Sequence, residues 1–218
     1  MTADIPAKER LLRAGEYLFA REGIDRVRIR DLNTMAEVRN DSAVHYYFGS
    51  REGLLEAIAV RHMADVSARV DHFVARLCVG REPSGSALRD AIAALAIPLG
   101  EKLLDERGRD FVQIMAEVYD RKGGLADAQY APASALAKDL IRRSMTGMSD
   151  ALREERIRLT TNFIVSSMAA WARAYDADGR PVLDHRTYVV NLIEMGTMAC
   201  LAATPDDPIP SDRAFGEW

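Results

Sequence analysis

A cluster of hydrogen-bonding and aromatic side chains stands out in the first quarter of this sequence. A short helix there would display Ser42, His45 and Tyr46, with Asn40 and Tyr47 near its ends. Side chains of these types can donate to and accept from base edges in the major groove of DNA, where each base pair presents a distinct pattern. The composition of this segment therefore indicates readout of a nucleic acid.

Arginine side chains surround this cluster. They are Arg28, Arg30, Arg39 and Arg51. Because guanidinium groups neutralise phosphates, we expect these four residues to contact the DNA backbone. Residues 26–51 carry five Arg and three acidic residues, whereas residues 62–218 carry 19 basic and 23 acidic residues. Positive charge is thus concentrated around the cluster, although the whole chain has a formal net charge of −4.

The remainder of the sequence shows no catalytic or metal-binding motif. It contains no Glu-x-x-His pair, no His-Glu-x-x-His, no Gly-x-Ser-x-Gly and no glycine-rich phosphate loop. Neither His62 nor His72 has a second ligand at a recognised metal-binding spacing. We therefore expect a protein that is not an enzyme and that binds no metal and no cofactor.

Methionine and aromatic side chains recur in the C-terminal part of the chain, and such residues line adaptable apolar pockets. The set consists of Phe73, Phe111, Met115, Tyr119, Phe163, Met168 and Trp171. The same residue types also fill ordinary cores, so that alternative stays open for each of them. As a set they predict a site for an unknown small-molecule effector that is apolar or amphipathic.

The whole sequence has the periodicity of helices, because apolar residues recur every three or four positions and no long alternation typical of a strand occurs. The pattern predicts helices over about residues 6–22, 28–36, 40–47, 51–79, 86–105, 109–119, 133–145, 149–177 and 184–203. Pro98 falls within the fifth of these. The apolar stripe continues beyond it, so we expect a kink at Pro98 and not an end. The fold class is all-α.

Length and composition fit a globular protein. The 218 residues are 48% hydrophobic and 28% charged, which excludes a disordered chain. Two cysteines, Cys78 and Cys200, are too few for a disulfide scaffold, and we expect both to be buried thiols. No apolar run is long enough for a signal peptide or a membrane span. We expect a cytoplasmic protein that makes no membrane contact.

The last two long helices have features of a subunit interface. Residues at spacings that would let another helix approach are Ser166, Ala170, Leu192, Gly196, Ala199 and Ala203. The middle of the helix over 149–177 is apolar nearly all round, as is typical of a helix buried on every side. We expect these two helices to form a four-helix interface in a homodimer, with a bundle within one chain as the alternative.

Two short helices with a tight connection at residues 37–39 have the layout of a helix-turn-helix. The stretch from about Glu9 to Leu55 resembles the N-terminal domain of the tetracycline-repressor (TetR) family of bacterial transcription regulators, most specifically in the run VHYYFGSREGLL. The matching residues are Leu12, Ala14, Phe19, Gly23, Arg30, Asp31, Leu32, Ala36, Val38, Ser42, Tyr46, Phe48, Gly49, Ser50, Arg51, Glu52 and Leu55.

The resemblance implies an all-helical, Ω-shaped homodimer. Its residues 1–50 would form a helix-turn-helix domain that binds a palindromic DNA operator, and residues 51–218 an effector-binding and dimerisation domain. The resemblance places His45 and Tyr46 on the recognition helix, with Tyr47 and Arg51 near phosphates. Repression relieved by the effector is the usual mode of such regulators.

The sequence departs from the pattern of the family in four ways. Glu37 stands in the turn where glycine is usual, Asn33 stands where a small residue is usual, and Val27 and Arg28 replace a pair of threonines. The segment around residues 39–40 is also one residue longer. Glutamate adopts a left-handed conformation less readily than glycine, and its charge repels phosphate. A helical protein-binding adaptor without DNA affinity is therefore the alternative function, and an all-helical enzyme is a weaker one.

Overall fold

The computed structural model describes residues 5–77, 85–122, 132–179 and 181–202. Within these ranges the chain forms nine α-helices, one short 3-10 helix (Lys102–Leu104) and no strand. The helices are α1 (Ala7–Glu22), α2 (Ile29–Met35), α3 (Ala43–Phe48), α4 (Arg51–Leu77), α5 (Gly85–Glu101), α6 (Glu106–Lys122), α7 (Pro132–Ser144), α8 (Asp150–Asp178) and α9 (His185–Leu201). This confirms the all-α fold. Cys78 and Ala203 lie outside the described residues.

Local sequence explains the bounds of the first three helices. Pro6 precedes α1, where its missing N–H costs nothing, and α1 ends at Gly23, which has φ 87. The backbone N–H of Arg28 donates to the Asp31 carboxylate at 3.2 Å and so fixes the start of α2. Gly49, with φ 77, ends α3 in a conformation that glycine adopts at no steric cost.

Helix α4 extends from the three short helices into the rest of the protein. Leu54 and Ile58, near its start, are buried against α1–α3. Val66, Val70 and Val74, further along, are buried in a separate cluster that includes side chains of α5 and α7. One helix of 27 residues therefore contacts both parts of the molecule.

The apolar core of the N-terminal helices is completed by a helix from the body. Ile114 and Val118 of α6 are buried in the same cluster as Leu11, Phe19 and Leu32 of α1 and α2. The three short helices therefore pack on α6 as well as on α4, and this double contact fixes their orientation.

The body is built mainly from α5, α6, α8 and α9 around one large apolar cluster. Helix α5 continues through Pro98 to Glu101, as the apolar stripe predicted. Side chains cap α8 and α9: Ser149 Oγ accepts from the N–H of Leu152 at 3.3 Å, and Asp184 Oδ1 accepts from that of Thr187 at 3.1 Å. None of the helices in the described ranges combines the length and the apolar character needed to cross a membrane.

Candidate nucleic-acid interface and ligand cavity

The turn between α2 and α3 holds a glutamate in a left-handed conformation. Glu37 has φ 51, and among the described residues no other residue except glycine has a positive φ. Arg10 of α1 supports this turn, since its guanidinium donates to the carbonyls of Ala36 at 2.8 Å and Glu37 at 3.5 Å. The Asn33 side-chain amide donates to the carbonyl of Asp41 at 3.1 Å across the turn. Side chains outside the turn thus hold a conformation that glutamate disfavours.

Helix α3 presents its polar side chains to solvent. Tyr46 is 79% exposed, and its ring meets that of Tyr47 edge-on at a centroid distance of 4.9 Å. Asn40 Oδ1 accepts from the backbone N–H of Ser42 at 3.0 Å, which shapes the start of the helix. His45 Nδ1 lies 2.9 Å from the Gly49 carbonyl oxygen. Because a carbonyl only accepts, this nitrogen carries the proton and Nε2 of the neutral ring is left as an acceptor.

Three of the predicted phosphate-binding arginines surround α3 with exposed side chains. Arg28 and Arg30 lie at the start of α2, and Arg39 lies in the connection to α3. Arg30 Nε is 3.7 Å from the Asp31 carboxylate, a loose surface pair. In the part of the chain that the structure describes, Arg39 has no ion-pair partner. These cations are therefore available to an anionic partner.

Arg51, the fourth predicted phosphate contact, is placed differently. Its Nη1 donates to the carbonyls of Ile24 at 2.9 Å and Val27 at 3.2 Å, and its Nη2 lies 3.0 Å from the Glu52 carboxylate. The guanidinium therefore joins the first turn of α4 to the loop before α2. In this arrangement Arg51 positions α2, and its donors are already engaged.

A buried ionic network joins α1 to the body. The Glu16 carboxylate of α1 accepts from His62 Nε2 of α4 at 3.0 Å and from Arg107 Nε of α6 at 2.5 Å. The side chain of Glu16 is 1% exposed, and the His62 ring stacks on Phe111 at 4.5 Å. Burial by itself raises the pKa of Glu16, but the hydrogen bonds from His62 and Arg107 outweigh it and hold the pKa below its usual value. Glu16 is therefore a carboxylate shared by three helices.

Two further polar contacts support the same junction. Arg21 Nη1 lies 2.6 Å from the buried carboxylate of Asp110, and burial raises the pKa of Asp110 to about 6 despite this pair. The backbone N–H of Ile24 donates to the Glu117 carboxylate at 3.0 Å. Sequence periodicity had no signal for these junction contacts, because their partners lie up to 93 residues apart.

The body contains an apolar cavity of about 80 Å³. It is lined by Met63, Val66, Ser67, Val70, Leu95, Leu99, Met115, Tyr119, Lys138, Thr161, Ile164 and Val165. These residues belong to α4, α5, α6, α7 and α8, so the cavity lies where five helices meet. Its wall includes two turns of α4, the helix that also contacts α1–α3.

Of the residues predicted to bind an effector, Met115 and Tyr119 line this cavity. The others lie elsewhere: Phe73 packs beside Val70, Phe111 and Met168 are fully buried in the core, and Phe163 is partly buried against it. Trp171 stacks on Tyr175 at 5.3 Å, near α9. Sequence analysis did not identify Lys138, although its spacing of three from the buried Ile141 placed a cation on the inward side of α7.

The residues predicted for the dimer interface divide into two groups. Ser166, Ala170 and Ala199 are exposed, whereas Leu192 is 2% exposed and Gly196 is buried within the chain. A Cβ atom on Gly196 would lie 3.2 Å from Thr160 and 3.4 Å from Ile164, both on α8, so this glycine allows α9 to approach α8 of the same chain.

Large apolar side chains extend the exposed group. On α8 and α9 they include Leu159, Val190, Met195, Met198 and Leu201, of which Met198 is 65% exposed. Together with Ser166, Ala170 and Ala199 they form what we term the α8–α9 face. Such a set of exposed apolar side chains on two adjacent helices is typical of an interaction surface.

Comparisons with known proteins agree with this architecture. Residues 11–58 match the family model described as bacterial regulatory proteins, tetR family. The fatty acid degradation regulator FadR from Bacillus halodurans has the same fold, with 10% identity, coverage of 90% of this chain and 97% of that chain, and a TM-score of 0.53. The SCO4942 protein from Streptomyces coelicolor is 21% identical, with 87% and 97% covered and a TM-score of 0.51. A comparison with curated proteins found no match.

The matched segment contains most of α1, all of α2 and α3 and the start of α4. The exposed polar and basic surface thus lies within or beside the helix-turn-helix layout of that family model. Residues 11–58 therefore form an N-terminal domain of the TetR-family type, which confirms the resemblance seen in the sequence.

Proposed function

We propose that the chain is a ligand-responsive repressor that binds a palindromic operator as a homodimer and releases it when an apolar or amphipathic effector binds. In this proposal residues 1–50 bind DNA, and residues 51–218 bind the effector and dimerise. The protein acts in the cytoplasm, by binding and without turnover. The observation that carries the proposal is the exposure of Tyr46 on a short helix that Arg30 and Arg39 flank.

On the DNA, α3 enters the major groove. Tyr46, Ser42 and His45 face base edges, and Arg28, Arg30 and Arg39 bind phosphates. His45 has a defined preference, because its bond to the Gly49 carbonyl leaves neutral Nε2 as an acceptor. An acceptor at this position pairs with the exocyclic amino group of adenine or cytosine.

The effector acts through α4 in this proposal. The half-sites of an operator are roughly 34–36 Å apart, so a shift of a few ångströms misplaces one recognition helix. A ligand between α4 and the other cavity helices changes the tilt of α4 if it binds one tilt more tightly. A coupling of about 1–3 kcal/mol alters DNA affinity roughly 5–150-fold.

Tyr46→Ala tests the DNA-binding part. Fluorescence anisotropy with the DNA upstream of the gene should show binding that weakens as salt rises, since arginines displace counterions from phosphates. The variant should lose preference for that DNA over a scrambled duplex. Binding that is independent of salt, or identical in both proteins, would favour the adaptor function instead.

The α8–α9 face is the surface that we assign to dimerisation. Met198→Glu places a charge in it and should shift the protein to a monomer in sedimentation velocity. Val60→Glu is the matched control, since Val60 is 48% exposed on α4, far along the chain from the α8–α9 face. A Met198→Glu protein that sediments like the wild type would place the interface elsewhere.

A further inference from the structure

The cavity combines an apolar wall with one cation. Eight of its twelve lining residues are apolar, and Lys138 of α7 is the charged one. Apolar surface of this kind accommodates the hydrocarbon part of a ligand without polar pairing. The ammonium group is the exception that needs an explanation, because a lysine in apolar surroundings is costly without a partner of opposite charge.

No side chain within the described ranges serves as the counterion of Lys138. No hydrogen bond or ion pair of its Nζ is found there. Glu154 is the acidic residue whose field acts on it, and that carboxylate already accepts from Arg142 Nε at 2.5 Å. Asp139, the neighbour of Lys138, pairs with Arg143 at 2.7 Å. Desolvation accordingly lowers the pKa of Lys138 from its usual value, as expected for a cation that lacks a close partner.

Two hydroxyl groups that line the same cavity have O–H donors that make no hydrogen bond within the described residues. Neither the Tyr119 nor the Ser67 hydroxyl bonds to another residue of the described chain. The Thr161 hydroxyl, by contrast, donates to the Ile157 carbonyl at 2.7 Å. The cavity therefore offers one cation and two free hydroxyl donors, and it contains no carboxylate. This balance favours a ligand that brings a negative charge.

We propose that the cavity binds an amphipathic carboxylate, with the carboxylate at Lys138 and the hydrocarbon part against Met63, Val66 and the other apolar lining residues. This assignment rests on the proposed function only in taking the cavity as the effector site. It names the chemical class of the effector. A carboxylate supplies the missing counterion of Lys138 and accepts from the Tyr119 or Ser67 hydroxyl, whereas an alcohol or amine of the same length does not neutralise the lysine.

Octanoate is a suitable probe, with 1-octanol and octylamine as ligands of equal length and different charge. Isothermal titration calorimetry on the full chain without DNA, at neutral pH, should give octanoate a Kd at least tenfold lower than either comparison ligand. Equal Kd values for octanoate and octanol in the wild type would overturn the proposal. Since no DNA is present, this result is independent of operator binding.

Three variants locate the site. Lys138→Met should lose the preference for octanoate and keep its affinity for octanol, while Lys8→Met, which removes an exposed charge of α1, should bind as the wild type does. Val66→Phe fills the cavity and should bind none of the three ligands. Unchanged octanoate affinity in Lys138→Met or Val66→Phe would refute the assignment.

Two readouts separate this proposal from the function above. A thermal melt of Lys138→Met should equal or exceed that of the wild type, because the variant replaces a desolvated cation by an apolar side chain, and this shows that the variant folds. If octanoate binds at Lys138 and leaves operator affinity unchanged, the site stands and the ligand-responsive repression fails.

Discussion

The proposed DNA-binding surface and the proposed effector cavity are built in opposite ways. The polar side chains of the surface lie within residues 28–47, and all of them point into solvent from two short helices and their connection. The cavity takes its twelve lining residues from five helices, over positions 63 to 165. One short segment can supply all the side chains of a surface site, whereas a cavity forms only where segments distant in sequence pack together. The two sites therefore differ in how a single substitution affects them.

The junction between the two regions is built in a third way. Glu16, His62 and Arg107 form a buried polar contact between α1, α4 and α6, where neither DNA nor effector is expected to bind. Such a contact is costly to break from one side, because the remaining charges stay buried. Because of this contact, the orientation of α1–α3 depends on the body. Substitutions at the junction are therefore the first test of how the surface and the cavity are connected.

The largest effect is expected for Glu16→Gln. The variant removes the buried carboxylate that His62 and Arg107 share and leaves Arg107 only the longer pair with Glu9 at 3.5 Å. We expect the free energy of unfolding to fall by roughly 3 kcal/mol in chemical denaturation.

Glu194→Gln of α9 is the control, because its pair with Arg89 lies outside this junction. The Glu194 side chain is 50% exposed and that of Arg89 is 42% exposed, so a loss of less than about 1 kcal/mol is expected. Equal losses would mean that the junction is no stronger than a surface pair.

The next effect is a pH dependence at the same junction. The pKa of Asp110 is raised to about 6 by burial, so the folded protein holds this proton more tightly than the unfolded chain does. Its contribution to stability is therefore full below about pH 4 and is lost as the pH rises through about 6. Carboxylates with lowered pKa values, such as Glu16, act in the opposite direction.

Comparison with Asp110→Asn isolates this group. The stability of the wild type relative to the variant should fall by roughly 2 kcal/mol between pH 4 and pH 7 in thermal melts. A difference that stays constant over this interval would contradict the raised pKa.

Substitutions at Arg39 and Arg51 distinguish a residue that contacts DNA phosphate from one that positions α2. Arg39→Ala should weaken binding to all DNA by about tenfold and reduce the slope of log K against log salt by roughly one, as loss of one phosphate contact does. Arg51→Ala should weaken DNA binding with little change in that slope, because its guanidinium holds the loop before α2. Anisotropy titrations at several salt concentrations measure both. A reduced slope for Arg51→Ala alone would reverse the two roles.

The smallest effect is expected at Glu37, where two variants separate strain from charge. Glu37→Gly relieves the left-handed conformation and should raise the free energy of unfolding by up to about 1 kcal/mol. Glu37→Gln keeps the strain and removes the charge, so it should strengthen DNA binding slightly at unchanged stability. Thermal melts and anisotropy together test this pair. A destabilised Glu37→Gly protein would mean that Arg10 has removed the strain.

The sequence by itself determined the all-α class, the order of the helices and the exposed surface of α3. Helical periodicity, capping residues and glycines at helix ends are local signals, and the polar side chains of α3 lie within one turn of each other. For the same reason it predicted that α5 continues through Pro98. The resemblance in residues 9–55 was also local, since it depended on neighbouring residues.

Only the tertiary structure decided where the remaining side chains point. Gly196 and Leu192 contact α8 and the core of their own chain, and Phe111 and Met168 fill the core, because helix packing selects which side of an apolar helix faces inward. Arg51 meets the loop before α2 across 24 to 27 residues, and Lys138 enters the cavity only because α7 packs on α4 and α5. Periodicity identifies a buried stripe, but the neighbours of that stripe are set by the packing of the whole chain.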